Sequence, residues 1–226
     1  KVVPYCPRCA TPLSTHEVAQ GYKEVEDLSV YVKLRLDDTA RFNGPTDLLV
    51  WTTTPWTLPG NVAVAINPTL AYVLVRQGEA QYIIAEALLG HALEGEYEVV
   101  RSVATDELLG QTYRPLFTFM VPEKPAYRIV RGDYVTAEDG TGLVHIAPAF
   151  GEDDLAVARV NDLPVLQTVD TSGRFVPEVS LFAGMRVKPK EGTPDPSADP
   201  VIVAHLRETG GLYRVQRYRH QYPHCW

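Results

Sequence analysis

The sequence predicts an α+β fold that is mainly β: a barrel-like body of many short strands with a few short helices, and β-ribbon arms at both termini. Three observations carry this prediction. Short segments rich in β-branched and aromatic residues recur along the chain, turn chemistry separates them at close intervals, and helical periodicity is confined to a few short stretches. Many short strands at such spacing build a barrel or a sandwich. We divide the chain into an N-terminal arm (1–20), a main body (21–205) and a C-terminal arm (206–226).

In chain order, the expected strands are Ser29 to Leu36, Asp47 to Thr53, Val62 to Ile66, Ala71 to Arg76 and Gln81 to Ala85, followed by Tyr127 to Val130, Tyr134 to Ala137, Gly142 to Ile146 and Val165 to Val169. Asn43-Gly44-Pro45, Asn67-Pro68, Gln77-Gly78, Asp139-Gly140 and Ser172-Gly173 mark turns between them. Ala85 to Leu93 spaces apolar residues at helical intervals, a pattern that Gly90 weakens. Glu152 to Val160 opens with clustered carboxylates, which suit the positive end of a helix. Asp199-Pro200 reads as an N-cap followed by proline in the first turn, with Val201 to Glu208 running to a stop at Gly210-Gly211. Lys188 to Pro200 reads as a proline-rich surface loop. No internal repeat, heptad pattern or low-complexity tract interrupts this order.

A chain of 226 residues with 45% hydrophobic content can bury a sizeable core. Its apolar runs are all shorter than the roughly 18 residues of a spanning helix, and its start lacks the apolar stretch of a signal peptide. The expectation is a soluble, cytoplasmic monomer with no membrane partner. A formal charge of −7 argues against binding along a nucleic-acid backbone, which requires neutralising several phosphates, but leaves room for gripping one nucleotide end. Three cysteines make no disulfide framework. Cys6-Pro-Arg-Cys9 has the spacing of a zinc knuckle, and Cys225 near the other end supplies part of a second pair. These residues form at most an incomplete metal site; the alternatives are a surface CxxC with no metal, or a site finished by His224, His220 or His16.

The familiar nucleophile elbow, phosphate-binding loop and dinucleotide fingerprint are all missing. What remains is Trp51 to Asn61 (WTTTPWTLPGN) and Gly140 to Asp154 (GTGLVHIAPAFGEDD). In the first, Thr52, Thr53, Thr54 and Thr57 gather hydroxyls at the end of an apolar strand. Pro55 stops ladder pairing there and leaves nearby N–H groups for a ligand. In the second, a strand flanked by small residues delivers His145, and Asp154 lies in the first turn of the following helix, where the dipole favours its charged form. Read singly, these residues are a threonine-rich strand end, a satisfied strand histidine and ordinary helix-start acids.

Together, the two segments resemble the signature stretches of the editing insertion in the class I aminoacyl-tRNA synthetases for isoleucine, valine and leucine. WTTTPWTLPGN resembles the isoleucine version, since the valine and leucine enzymes typically carry arginine at the position of Thr54. Cys6 to Cys9 and Tyr222 to Trp226 resemble the base of that insertion in the isoleucine enzymes. The family's ATP-dependent activation motifs are absent from this stretch, and Ala149-Phe150 stands where many bacterial relatives have Gly-His.

The resemblance implies a hydrolytic proofreading domain that clears valine misattached to tRNA(Ile), and valyl-adenylate, through a size-selective second site. It implies catalytic roles for Thr52, Thr53, Thr54, His145 and Asp154, with Asp154 anchoring the substrate ammonium and His145 sensing side-chain size. Trp56, Thr57, Asn61 and Gly142 would line the substrate cleft. Its partners would be the 3′ end of tRNA(Ile) carrying valine and the rest of the synthetase in cis. Editing would need no cofactor, with zinc confined to the full-length protein. Two rivals fit the same residues: a non-catalytic module that binds a tRNA end or a partner, and a structural zinc-ribbon connector.

Overall fold

A computed structural model describes residues 3–6, 11–188 and 197–223. Strands β1 (Tyr5–Cys6) and β2 (Thr11–Pro12) pair antiparallel, and α1 (Thr15–Gln20) follows. Ser14 caps α1 reciprocally with Glu17, a Ser-x-x-Glu signature that marks a helix start even in so polar a segment. Next come β3 (Tyr22–Arg35), β4 (Thr46–Thr52), a 3-10 helix (Pro55–Gly60), β5 (Ala63–Ile66), β6 (Tyr72–Gln77) and β7 (Ala80–Ala85). A second 3-10 turn (Glu86–Leu88) leads into α2 (Leu89–Ala92), β8 (Glu98–Val103) and α3 (Thr105–Leu108). The chain continues through β9 (Arg128–Arg131), β10 (Leu143–Ile146), α4 (Glu152–Val160), α5 (Asp199–Glu208) and β11 (Leu212–Pro223).

The main sheet is six-stranded in the order β11-β3-β4-β7-β6-β8, and a three-stranded sheet, β10-β5-β9, packs against it through β10 and β4. Among the described residues no barrel closes. β4 and β7 run parallel, so the chain between them must cross over, and that crossover carries β5 into the second sheet. Alternation along the strands makes two cores. Val30, Val32, Leu34, Leu48, Val50 and Ile83 face the second sheet, whereas Tyr31, Leu49, Val73, Val75 and Ile84 face Ala92 and Leu93. Burial on both faces explains the nearly unbroken apolar run of β4.

The ends of the chain meet in a long ribbon. β3 and β11 pair from Tyr22↔Pro223 to Val32↔Leu212, and β3 changes along its length from exposed polar residues to a buried core strand. β11 lies within the β-ribbon arm expected over 206–226, although alternating charge and tyrosine hid its bounds and the outer half of β3 from a reading based on apolar residues. β8 escaped it for the same reason, being largely exposed.

Other expectations fail locally. Tyr134 to Ala137 and Val165 to Val169 form no strands. Val135, Leu163 and Leu166 are nonetheless buried, so their apolar character serves a core without a ladder. The helix expected over Ala85 to Leu93 is broken: Ala85 ends β7, and only a 3-10 turn and one α-turn follow. Ala198, not Asp199, occupies the N-cap position of α5, and the Asp199 side chain reaches elsewhere.

Candidate active site

Strand β4 ends at Thr52, and Pro55 starts the 3-10 helix that turns the chain away from the sheet. The turn folds its hydroxyls onto one another. Thr52 Oγ1 lies 3.2 Å from Thr54 Oγ1, which lies 3.3 Å from Thr57 Oγ1, which lies 3.0 Å from His145 Nε2. Residues 88 positions apart thus form one connected group, because β10 lays His145 beside Val64 of β5 and packs against β4.

The direction of each bond follows from counting protons. Thr57 donates its single hydroxyl proton to the Thr54 carbonyl at 2.8 Å, so Thr57 Oγ1 accepts from both Thr54 and His145. Thr54, its proton spent, accepts from Thr52, and Thr52 in turn accepts the Thr54 backbone N–H at 3.1 Å. The imidazole is therefore protonated at Nε2, and its lone pair sits on Nδ1, a buried atom with no hydrogen-bond partner among the described residues. Burial pushes the His145 pKa down to about 4, which keeps the ring neutral at pH 7.

Backbone donors expected to await a ligand are already used. The Thr54 N–H binds Thr52, the Thr57 N–H binds the Thr54 carbonyl, and the Trp56 N–H binds Asp199 Oδ1 at 3.0 Å. Pro55 frees these groups from the ladder, and the tight turn then satisfies them locally. Thr53 is half-buried and stands outside the hydroxyl chain.

Asp154 occupies the first turn of α4, as its position among the helix-start acids predicts. Its Oδ2 accepts the Ala147 N–H at 3.0 Å, which ties it to the end of β10, beyond His145. The carboxylate folds back over Gly151, where an added Cβ would meet Asp154 Cγ at 2.8 Å. Its electrostatics differ from the dipole argument. Burial pushes the Asp154 pKa up, the Ala147 N–H pulls it down, and the neighbouring Asp153 charge adds to the rise. Desolvation outweighs the helix terminus, so this carboxylate is under-stabilised as an anion. The Tyr134 hydroxyl is pushed up by its own burial and by the charges of Asp154 and Asp153.

The remaining expected residues divide. The half-buried Trp56 ring meets Phe150 edge-on with centroids 5.0 Å apart, and Trp56 Nε1 is buried without a partner among the described residues. Phe150 also fills the space over Gly60, where an added Cβ would lie 3.1 Å from its ring. Asn61 bonds within the fold, using one of its two amide donors and one of its two lone pairs: Nδ2 donates to the Ala63 carbonyl at 2.9 Å, and Oδ1 accepts from the Tyr113 hydroxyl at 2.7 Å. Gly142 is a packing residue with φ 73°, where a Cβ would sit 2.4 Å from Ala85 Cβ, and its carbonyl accepts from the Tyr72 hydroxyl. Of the metal candidates, Cys6 is buried, and Cys9 and Cys225 lie outside the described residues. Among the described residues no cluster of His, Cys, Asp and Glu could hold a metal ion.

Two residues beyond the expected set touch the site. Asp199 was hidden by a separation of 143 residues from Trp56 and by its resemblance to a helix cap. Thr168 is fully buried, its hydroxyl has no partner among the described residues, and it lies against Gly60. The surface also carries concavities, one of about 360 Å³ beside Met120, Lys124 and Leu163 and one of about 310 Å³ beside Tyr5, Pro148 and Leu155. Neither encloses the hydroxyl chain. The second borders the segment that follows His145.

Comparison with known proteins decides the family. No family model matches the chain. The isoleucine–tRNA ligase of Clostridium novyi is 47% identical over all 226 residues, and that of Thermus thermophilus 45% identical over 228 aligned positions. The chain belongs to the isoleucine–tRNA ligase family. It spans about a fifth of those ligases, 21% of their length in both cases. Solved structures show the same fold at low identity. A structure described as GlLeuRS-CP1 matches with a TM-score of 0.62 at 15% identity, covering 83% of this chain and 98% of its own. The editing domain of the Plasmodium knowlesi cytosolic leucyl-tRNA synthetase matches at 0.57 and 11%, covering 88% and 97%. The fold is therefore that of synthetase editing domains. No helix of the described ligase segment is long and apolar enough to cross a membrane.

Proposed function

We propose that this segment is the hydrolytic proofreading domain of an isoleucine–tRNA ligase, clearing valine esterified to tRNA(Ile), and valyl-adenylate, at a second site too small for isoleucine. The observation that carries the reading is the connected group Thr52, Thr54, Thr57 and His145, with a half-buried, under-stabilised carboxylate bonded to the backbone just past β10. A pocket shaped for isoleucine rejects valine by only about 1–3 kcal/mol, a limit for which this very ligase is the standing example. A second sieve is the physical remedy.

In this reading the hydroxyl chain and the neutral imidazole form a rigid wall. Each proton in the chain is already placed, so an added methylene must displace packed groups rather than rotate one aside. Asp154 receives the α-ammonium of the substrate. A carboxylate raised by burial gains most from a cation, which restores the stabilisation that desolvation removed. The aminoacyl ester is already activated, so hydrolysis needs a positioned water and donors for the developing oxyanion. The half-buried Thr53 hydroxyl, which stands outside the hydroxyl chain, donates when the carbonyl arrives. The terminal nucleotide of tRNA(Ile), the rest of the ligase in cis and the cytoplasm are the partners and setting this reading requires.

The test is deacylation of Val-tRNA(Ile) and Ile-tRNA(Ile) by the chain at equal concentrations. The reading expects valine to be released and isoleucine spared. Equal rates, or retention of both esters, would overturn it.

A further inference from the structure

We propose that Asp199 is a positioning residue for this site: from the first turn of α5 its carboxylate holds the Trp56 backbone N–H and so fixes the turn that presses Thr54 and Thr57 against His145. The proposal rests on the hydrolytic reading of that wall, and it assigns the site a support that neither signature segment contains.

The 3-10 helix Pro55–Gly60 begins without a side-chain cap, since Thr54 makes no capping bond. Pro55 has no N–H, and the Thr57 N–H returns to the Thr54 carbonyl, so the Trp56 N–H is the donor left over at the helix start. Asp199 Oδ1 accepts it at 3.0 Å across 143 residues of sequence. Asp199 is buried, and it does not cap its own helix. Pinning the Trp56 N–H pins the peptide units on either side. Those units carry the Thr54 carbonyl and the Thr57 hydroxyl, and Thr57 meets the imidazole.

The choice of a carboxylate is informative. Asparagine would accept the same bond without a buried charge, and a charged acceptor is retained at a cost in stability because its bond is roughly twice as strong. Two charged groups face Asp199 besides the Trp56 N–H, Lys188 and Asp27. Burial pushes its pKa up, Lys188 and the Trp56 N–H pull it down, and Asp27 pushes it up again, leaving it at about 6. Asp27 in turn binds Lys188 at 2.8 Å and His220 of β11 at 3.1 Å, within the β3–β11 ribbon. The ionic cluster of the ribbon therefore reaches the wall through one carboxylate.

Two measurements on the chain separate this proposal from the reading it rests on. The Trp56 amide, followed by NMR with ¹⁵N-tryptophan label between about pH 5 and pH 8, should titrate with a midpoint near 6 and lose that titration in Asp199→Asn. An amide indifferent to both pH and the substitution overturns the proposal. Deacylation of Val-tRNA(Ile) by Asp199→Ala should fall about tenfold in kcat with KM nearly unchanged, the loss expected when a hydrogen bond to a charged group is removed. Asp199→Asn should recover most of that rate at pH 8, with a melting temperature at or above that of the unaltered chain and without an inflection near pH 6. Unchanged kcat in both variants overturns the positioning role. If the unaltered chain cleaves neither ester, the hydrolytic reading fails, and the Trp56 titration decides the coupling alone.

Discussion

The two halves of the candidate site are built on opposite electrostatic principles. In the threonine–imidazole half, each donor finds an acceptor within the group and nothing in it carries charge at pH 7. In the carboxylate half, the half-buried Asp154 and the buried Asp199 each accept a backbone N–H and are pushed upward by desolvation. A self-satisfied neutral wall defines shape and does not titrate near neutrality. An under-satisfied carboxylate responds to a cation and to pH. In the proposed reading size selection and charge recognition fall to different residues, and substitutions should separate them.

The largest effect should come from Asp154. Removing one partner of a buried charge pair typically costs about 3–5 kcal/mol, so Asp154→Ala should slow deacylation of Val-tRNA(Ile) by about a hundredfold or more. Steady-state rates check this, and a loss under tenfold would place the ammonium elsewhere. Asp154→Asn should lose activity similarly while holding or raising the melting temperature at pH 8, because the buried charge is gone.

Next is the acid stability of the wall. His145 has a folded pKa of about 4 against an ordinary 6.5, so its contribution is fully present above pH 6.5 and is lost as the pH falls toward 4. A shift of that size corresponds to about 3 kcal/mol. Urea unfolding across this range should show stability falling in the unaltered chain and a flatter profile in His145→Gln. Asp199 works in the opposite sense: its folded pKa of about 6 lies above the ordinary 3.8, so its share of stability is present below 3.8 and lost as the pH rises through 6.

The smaller predictions concern residues that resemble ligand contacts and are spent on the fold. Gly142→Ala places a Cβ against Ala85 at a positive φ and should cost about 1–3 kcal/mol in urea unfolding. Asn61→Ala removes the partner of a buried tyrosine and should cost about 1–3 kcal/mol, again in urea unfolding, with little change in KM for the ester. A KM effect larger than the stability effect would return Asn61 to the substrate cleft.

The sequence made some of this legible for physical reasons. β5, β10 and α4 could be read because an apolar strand bounded by proline, and acids opening a helix, are local signals. The pairing of Thr57 with His145 is foreshadowed only by the resemblance of the two segments, since nothing local records a contact across 88 residues. Asp199 was misread because Asp-Pro carries the local signature of a cap, while its bond to Trp56 is long-range. At Asn61 the sequence could not show that Ala63 and Tyr113 each engage one end of the amide, because both contacts depend on the fold. The charge of Asp154 was argued from the helix terminus, and desolvation, which depends on the folded surroundings, reversed the direction.

The central claim is that a neutral wall ending in His145 selects by size, independently of the carboxylates. With respect to Asp154 alone, since Asp199 supports the wall through Trp56, that claim is tested most directly by measuring deacylation of Val-tRNA(Ile) and Ile-tRNA(Ile) with the unaltered chain and with His145→Ala. A deleted wall should open the site to isoleucine, raising the isoleucine-to-valine rate ratio by about 10- to 200-fold, the range that one methylene can command. A ratio that stays fixed while both rates fall together would contradict the account, because it would make His145 part of the chemistry or the scaffold rather than the sieve.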